Sequence, residues 1–172
     1  TNSHWQQVPP QPVAASQRLA HVRYCSPFAA GLLDRFPQWA QGLDEHQPPH
    51  PAALDEEIRE FGLDAGLRRF RNLQMLRIIW RDLCELALLD ETFADLTALA
   101  ELCLSTAVEY HRRALEEKFG APLDADGVEQ GLAVIGLGKL GGGELNLSSD
   151  IDIIFCYRST GECRAGGPRG LS

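Results

Sequence analysis

Three common features are missing from this sequence, and each absence narrows its possible function. Positive charge is scarce, since 16 Lys and Arg residues oppose 24 Asp and Glu residues and leave a net charge of −8. An acidic chain repels the phosphate backbone, so we expect no nucleic-acid partner. No apolar run approaches the roughly 20 residues that span a bilayer, so we expect no membrane partner either.

Cysteine pairing is the third missing feature. The five cysteines are odd in number, and no two have the C-x-x-C spacing of a redox or zinc motif. They are Cys25, Cys84, Cys103, Cys156 and Cys163. This pattern argues against a disulfide framework and favours a reducing, cytoplasmic location. The histidines show no metal-binding spacing.

The composition is that of a folded globular chain. Of its 172 residues, 44% are hydrophobic and 23% are charged, which argues against disorder along the whole length. The length predicts one domain, or one domain with part of another.

The hydrophobic pattern predicts helices up to residue 122. Residues 1–63 predict short helices that prolines interrupt, with a proline-rich linker at 44–51. Apolar residues then recur every three or four positions and predict one helix over 64–89 and another over 90–119. The short turn between these two long helices predicts an antiparallel pair within 64–122.

The pattern changes after residue 122. Residues 132–135 predict a short strand, a glycine-rich loop follows, and residues 150–157 predict a second, buried strand. The predicted fold class is therefore α+β, with a mostly α-helical region that leads into the start of a mixed β-sheet domain. We divide the chain into 1–63, 64–122 and 123–172, and we expect the last part to be truncated.

The glycines of this loop match a motif that is typical of dinucleotide-binding proteins. Gly136, Gly138 and Gly141 satisfy G-x-G-x-x-G after a predicted strand. That fingerprint requires a full crossover helix before the next strand. Here the next predicted strand begins nine residues after Gly141, which is too soon for such a helix. We therefore disfavour this interpretation.

A second interpretation centres on two acids. Asp150 and Asp152 alternate along the predicted strand, so both carboxylates would lie on one face. Two adjacent like charges favour a cation such as Mg²⁺, which prefers carboxylates and phosphates. The upstream glycines and Lys139 suit a phosphate, and together these features predict metal-assisted nucleotidyl transfer. The alternative is a pair of solvated acids on a strand edge.

The same stretch resembles a known superfamily. Gly138 and Lys139, then ten residues, then D-I-D at 150–152 fit the pattern of the DNA polymerase beta nucleotidyltransferase superfamily, although Lys139 replaces the usual small residue. More narrowly, G-L-G-K-L-G-G-G-E-L-N-L-S-S-D-I-D-I-I-F resembles the signature of the glutamine synthetase adenylyltransferase/adenylyl-removing family. Residues 25–37 and 67–83 also resemble that family, so the similarity covers most of the chain.

The resemblance implies a function. Members of this family have two nucleotidyltransferase halves: one attaches AMP from ATP to a tyrosine of glutamine synthetase, and the other removes it by phosphorolysis and releases ADP. Glutamine and the PII signalling protein set the balance, so glutamine synthetase and PII are the implied partners. The sequence E-L-N-L-S-S-D-I-D at 144–152 resembles the motif of the N-terminal, adenylyl-removing half. The adenylyltransferase half, another superfamily member and an inactive helical docking fragment remain alternatives.

The resemblance also implies roles for single residues. Asp150 and Asp152 would be the catalytic, metal-binding acids that hold Mg²⁺. The residues that would face the phosphates of ATP, ADP or inorganic phosphate are Gly138, Lys139, Gly141, Gly142 and Ser149. Two of these have alternatives, since Lys139 could be a surface lysine and Ser149 could cap the turn before the strand.

One element of the superfamily pattern is not found. The superfamily completes its metal site with a third carboxylate on a later strand. After Asp152 the only acid is Glu162, in a stretch at 159–172 that we predict to be a loop. We therefore expect the third acid to lie beyond the chain end and this chain to be inactive by itself.

Arginines are concentrated on the first long helix. Five of the 16 basic residues lie there: Arg68, Arg69, Arg71, Arg77 and Arg81. They could form a surface that faces the active site or an acidic partner. Alternatively, they are solvated and pair with Glu85 and other acids.

Overall fold

The computed structural model describes residues 12–163 and has the predicted α+β class. Two short 3-10 helices, Ala15–Gln17 and Pro37–Ala40, accompany the main elements. The main elements are α1 (Arg18–Cys25), α2 (Pro27–Arg35), α3 (Pro51–Phe61), α4 (Leu63–Leu83), α5 (Leu89–Phe119), β1 (Pro122–Leu123), β2 (Leu132–Gly136), α6 (Gly138–Gly141), β3 (Ile153–Tyr157) and β4 (Glu162–Cys163). Within 12–163, none of these helices has both the length and the apolar character to cross a bilayer.

The long helices α4 and α5 pack against each other in opposite directions. Near their connection, the hydroxyl of Thr92 donates to a carboxylate oxygen of Asp82 at 3.2 Å. Farther along, Arg71 of α4 and Cys103 of α5 line one cavity. The division of the chain into three parts remains a prediction.

The end of α4 differs from the prediction. We expected this helix to run to residue 89, but it ends at Leu83. Glu85 adopts a left-handed conformation with φ of 57°, and the N–H of Leu86 donates to the carbonyl of Arg81 at 2.8 Å. This is the hydrogen bond of a Schellman motif, which terminates a helix. The usual glycine is replaced by glutamate, so the sequence carries no stop signal there.

Two hydrophobic clusters hold the helices together. The first lies between α1, α2 and one face of α4, and includes Trp80, whose indole N–H donates to Asp44 at 2.8 Å. The second lies between α3, α4 and α5 and also contains Leu140 and Leu145, which flank the glycine-rich loop. The helical region therefore supports that loop directly.

The strands form two separate two-stranded sheets. β2 and β3 are antiparallel, with Leu132 opposite Tyr157 and Gly136 opposite Ile153. We expected the second strand to be buried, and this is wrong: Ile154 is 46% exposed and Phe155 is 56% exposed. Within residues 12–163 no further strand extends this sheet, so its apolar side chains remain open to solvent.

The predicted loop at 159–172 also needs correction. Glu162 and Cys163 form β4, which pairs antiparallel with β1 and places Glu162 opposite Leu123. Glu162 therefore lies on a strand and not in a loop. The rest of the predicted loop, 164–172, lies outside the described residues.

Candidate functional site

The glycine-rich loop begins directly beside the acidic pair. The backbone N–H of Leu137 donates to the carbonyl oxygen of Asp152 at 2.9 Å. This bond continues the β2–β3 ladder one residue beyond the Gly136–Ile153 pair. The one-turn helix α6, which carries Lys139, starts at the next residue. The structure thus brings the Gly-Lys loop and the second acid together.

At two positions of this loop the backbone structure requires glycine. Gly138 has φ of 53°, a conformation that side-chain-bearing residues rarely adopt. A Cβ atom on Gly141 would lie 2.4 Å from the carbonyl oxygen of Gly136, so only glycine lets α6 fold back against β2. Gly142 has no such restriction, because its nearest neighbour would be the Gly138 oxygen at 3.5 Å. Phosphate binding by these glycines remains a prediction.

Lys139 supplies a positive charge to the loop. It is exposed, and within residues 12–163 its ammonium group forms no ion pair. Its backbone carbonyl accepts a hydrogen bond from the N–H of Glu144 at 2.8 Å, which closes the loop. The backbone is therefore fixed while the side chain is available to an anion.

Asp150 and Asp152 lie just before β3 and not on it. We predicted a strand from residue 150, but β3 begins at Ile153. Beyond Leu137 the partner chain turns into α6, so Asp150 and Ile151 have no strand to pair with. The alternation argument needs a regular strand and does not apply to these two acids. Both are exposed.

The two acids suit a hard cation. Carboxylate oxygens in water-accessible positions are the ligands that Mg²⁺ prefers, together with substrate phosphates. Within residues 12–163, the cluster of three acidic, histidine or cysteine side chains with metal-ligand spacing contains neither Asp150 nor Asp152. Binding of Mg²⁺ by these two acids remains a prediction.

Ser149 has a structural partner. Its hydroxyl donates to the side-chain oxygen of Asn146, and its backbone N–H donates to the Asn146 carbonyl at 3.1 Å. These bonds form the turn that precedes Asp150. The capping alternative therefore has support, and binding of phosphate by Ser149 remains a prediction.

A cavity of about 410 Å³ lies between the helix pair and the segment that precedes β3. Ser149 and Asp150 line one side of it, and Arg71 of α4 and Cys103 of α5 line the other. Most of the remaining lining is apolar: Met75, Leu96, Leu99, Ala100, Leu104, Leu145, Leu147 and Ile151. Burial raises the pKa of the Cys103 thiol to about 11, with Arg71 opposing that rise, so the thiol is neutral at pH 7.

The arginines of α4 have different roles. Arg69 pairs with Glu57 at 2.9 Å, and Arg81 pairs with Glu91 at 2.8 Å. Pairing with acids is thus correct for these two, although neither partner is Glu85. Arg71 instead faces the cavity that Asp150 lines. It is 79 residues away from Asp150 in the chain, so the sequence alone does not reveal that they share a cavity.

A polar cluster that the spacing did not reveal lies elsewhere. His46 Nε2 is 3.0 Å from a carboxylate oxygen of Asp95 and 4.0 Å from Oε1 of Glu91. The same Glu91 oxygen already accepts hydrogen bonds from Arg81. These polar contacts connect the proline-rich linker to α5.

Comparison with known proteins identifies the family. The family model for glutamate-ammonia ligase adenylyltransferase matches residues 16–172. The bifunctional glutamine synthetase adenylyltransferase/adenylyl-removing enzyme of Shewanella oneidensis is 40% identical over 168 residues, which cover 92% of this chain and 18% of that protein. The enzyme of the same name from Pseudomonas aeruginosa is 50% identical over 121 residues, which cover 70% of this chain and 12% of that protein.

These matches establish what kind of protein this is. The α+β chain with a Gly-Lys loop beside a D-x-D motif belongs to a class of nucleotidyltransferases. Within that class, it is a member of the glutamate-ammonia ligase adenylyltransferase family. The chain spans less than a fifth of the length of the relatives named above.

Proposed function

We propose that this chain is part of an enzyme that removes AMP from adenylylated glutamine synthetase by phosphorolysis and releases ADP. The relatives' names contain both the attaching and the removing activity. The sequence E-L-N-L-S-S-D-I-D at 144–152 favours the removing half. The observation that supports the site assignment is the hydrogen bond from the N–H of Leu137 to the carbonyl oxygen of Asp152, which joins the start of the glycine-rich loop to the second acid.

In this proposal the chain's own residues bind and orient the reactants. Asp150 and Asp152 hold Mg²⁺, which neutralises charge on phosphoryl oxygens when it is bound. Lys139 and the backbone N–H groups of the loop hold inorganic phosphate. An oxygen of this phosphate forms a bond to the AMP phosphorus while the bond from phosphorus to the tyrosine oxygen breaks. The tyrosine oxygen takes up the proton of hydrogen phosphate, so the products are ADP and free tyrosine.

The partners follow from the same proposal. Glutamine synthetase is the protein substrate, PII is the regulator, and the location is the cytoplasm. The chain's net charge of −8 agrees with a protein partner better than with nucleic acid.

Two alternatives have specific support. In the first, the attaching reaction, the same loop and acids bind ATP and Mg²⁺, the tyrosine oxygen forms a bond to the α-phosphorus of ATP, and pyrophosphate leaves, so this reaction is not the reverse of phosphorolysis. The second is a docking function without catalysis, and it is consistent with the observation that the metal-ligand cluster within residues 12–163 contains neither Asp150 nor Asp152.

The test uses the longer protein that we propose contains this chain. Asp150→Asn and Asp152→Asn are each introduced, and ADP release from adenylylated glutamine synthetase is followed with phosphate and Mg²⁺. AMP attachment from ATP is measured in parallel. Asp126→Asn, which makes the same charge change at an exposed turn, is the control. We expect removal to fall at least about 100-fold, with attachment and the control unchanged.

The other outcomes contradict the proposal in different ways. Loss of attachment alone would assign this chain to the transferring half. Retention of both activities would make the two acids structural and support the docking alternative.

A further inference from the structure

The cavity beside Asp150 combines opposite charges with an apolar lining. Arg71 lies on the α4 side, and Ser149 and Asp150 lie on the opposite side. Between them, Leu99 and Leu145 are almost completely buried, at 4% and 6% exposure. The lining between the two charged residues is therefore apolar.

Arg71 differs from its paired neighbours on α4 because its charge is available. Arg69 and Arg81 each form an ion pair with a glutamate. Arg71 is exposed, and its guanidinium forms neither a hydrogen bond nor an ion pair within residues 12–163. It does not pair with Asp150 although both line one cavity. An unpaired guanidinium at the edge of an apolar cavity is suited to a ligand that brings its own negative charge.

We propose that Arg71 binds a phosphate group of the substrate within this cavity, across from Asp150. The planar guanidinium donates two parallel hydrogen bonds, a geometry that matches phosphate oxygens. With Asp150 occupied by a cation, Arg71 is the positive side chain in the lining of this cavity and is available to an anionic substrate. This assignment rests on the proposed function, because it identifies the binding partner of a phosphate within the same site.

The phosphate has two possible sources. It belongs either to inorganic phosphate or to the adenylyl group, and the product ADP carries both, the first as its β-phosphate and the second as its α-phosphate. Both offer the same anionic oxygens to Arg71. Separate Michaelis constants for phosphate and for adenylylated glutamine synthetase distinguish them.

The experiment compares Arg71→Gln and Arg71→Lys with Arg68→Gln in the longer protein. Arg68 is the matched control because it is exposed, lies on the same helix one turn earlier and does not line the cavity. The readouts are ADP binding by calorimetry, which needs no turnover, and the KM values for phosphate and for adenylylated glutamine synthetase. Thermal unfolding of each variant shows that the fold is retained.

We expect Arg71→Gln to weaken ADP binding or to raise one of the two KM values by about 10-fold or more, which is typical of a lost charge-assisted hydrogen bond. Arg71→Lys restores part of the loss, since it keeps the charge but not the two-pronged geometry. Arg68→Gln leaves all values unchanged. A rise in the KM for phosphate alone identifies inorganic phosphate as the ligand of Arg71, and a rise in the KM for adenylylated glutamine synthetase alone identifies the adenylyl phosphate. The ADP dissociation constant reports the loss of either contact, because ADP carries both phosphates.

Two results would overturn the assignment and are separable from failure of the proposed function. In the first, Arg71→Gln keeps the wild-type ADP affinity and the wild-type KM values, while Asp150→Asn abolishes activity. This combination rejects only the role of Arg71. In the second, Arg68→Gln and Arg71→Gln have equal effects. The effect would then come from positive surface charge in general and not from a specific contact of Arg71 in the cavity. Full activity of Asp150→Asn rejects the proposed function itself, and calorimetry with ADP then decides the role of Arg71.

Discussion

The backbone N–H of Leu137 and the carbonyl oxygen of Asp152 are hydrogen-bonded, with the N and O atoms 2.9 Å apart. The start of the glycine-rich loop and the second acid therefore move as one unit. The position of this unit depends in turn on α6, whose Leu140 is buried in the helical core.

Gly141 is the position where this arrangement is most sensitive. Gly141→Ala would place a Cβ atom 2.4 Å from the Gly136 carbonyl oxygen, so α6 has to move away from β2. We expect a loss of stability of about 1–3 kcal/mol and at least about 10-fold lower adenylyl removal. Urea unfolding and ADP release measure the two effects. Gly142→Ala is the control, because its Cβ would meet only ordinary contacts, and equal damage at both positions would disprove the steric argument.

Arg81 is expected to dominate the stability of the helix pair. Its side chain is 10% exposed, pairs with Glu91, and donates to the carbonyls of Asp44 at 2.5 Å and Leu86 at 2.9 Å. Arg81→Met leaves these acceptors without their donor and should cost about 2–4 kcal/mol in the free energy of unfolding.

Arg112→Met provides the comparison for that measurement. Arg112 pairs with Glu109 and Glu116 on the surface of α5, and its side chain is 37% exposed. Exposed pairs contribute about 0–1 kcal/mol, so this variant should unfold at nearly the wild-type denaturant concentration. Similar denaturation midpoints for Arg81→Met and Arg112→Met would mean that burial does not determine how much an arginine ion pair contributes to stability.

The buried thiols predict a dependence of stability on pH. Burial raises the pKa of Cys84 to about 11 from an ordinary value of 9.0, and burial raises that of Cys103 to about 11 as well. The unfolded chain thus ionises at lower pH than the folded one. The stabilising contribution of the neutral thiols is complete below about pH 9 and decreases as the pH rises towards 11.

Urea unfolding at pH 8 and at pH 10.5 tests this dependence. The wild-type free energy of unfolding should fall more between the two values than that of a variant carrying Cys84→Ala and Cys103→Ala. In native protein at pH 8, iodoacetamide should modify the exposed Cys25 before the buried Cys84 or the partly buried Cys103. An identical fall with pH in the variant would assign the effect to other groups.

The sequence predicted the elements whose signals are local. The three-to-four residue spacing predicted both long helices, and the apolar run at 132–135 predicted β2. The end of α4 was missed because Glu85 adopts a left-handed conformation that glycine or asparagine usually adopts. The start of β3 was placed too early because the strand can extend only as far as its partner, which turns away after Leu137.

The parts of the candidate site that are close in the chain could be predicted from the sequence, and the parts that are far apart could not. The loop and the acids are separated by only ten residues, so their proximity follows from a strand, a turn and a strand. Arg71 and Asp150 are brought together by the packing of helices that lie far from the motif in the chain. His46 and Asp95 meet because the proline-rich linker folds back on α5, and no spacing rule describes that contact.

The burial of Leu140 and Leu145 on either side of the loop limits how the site can open. Each leucine is 6% exposed and belongs to the core that joins α3, α4 and α5. The four residues between them, 141–144, three of which are glycines, are therefore anchored at both ends by the helical core. The position of the loop thus depends on how the three helices pack, so a substitution that shifts one of these helices is expected to displace the loop as well.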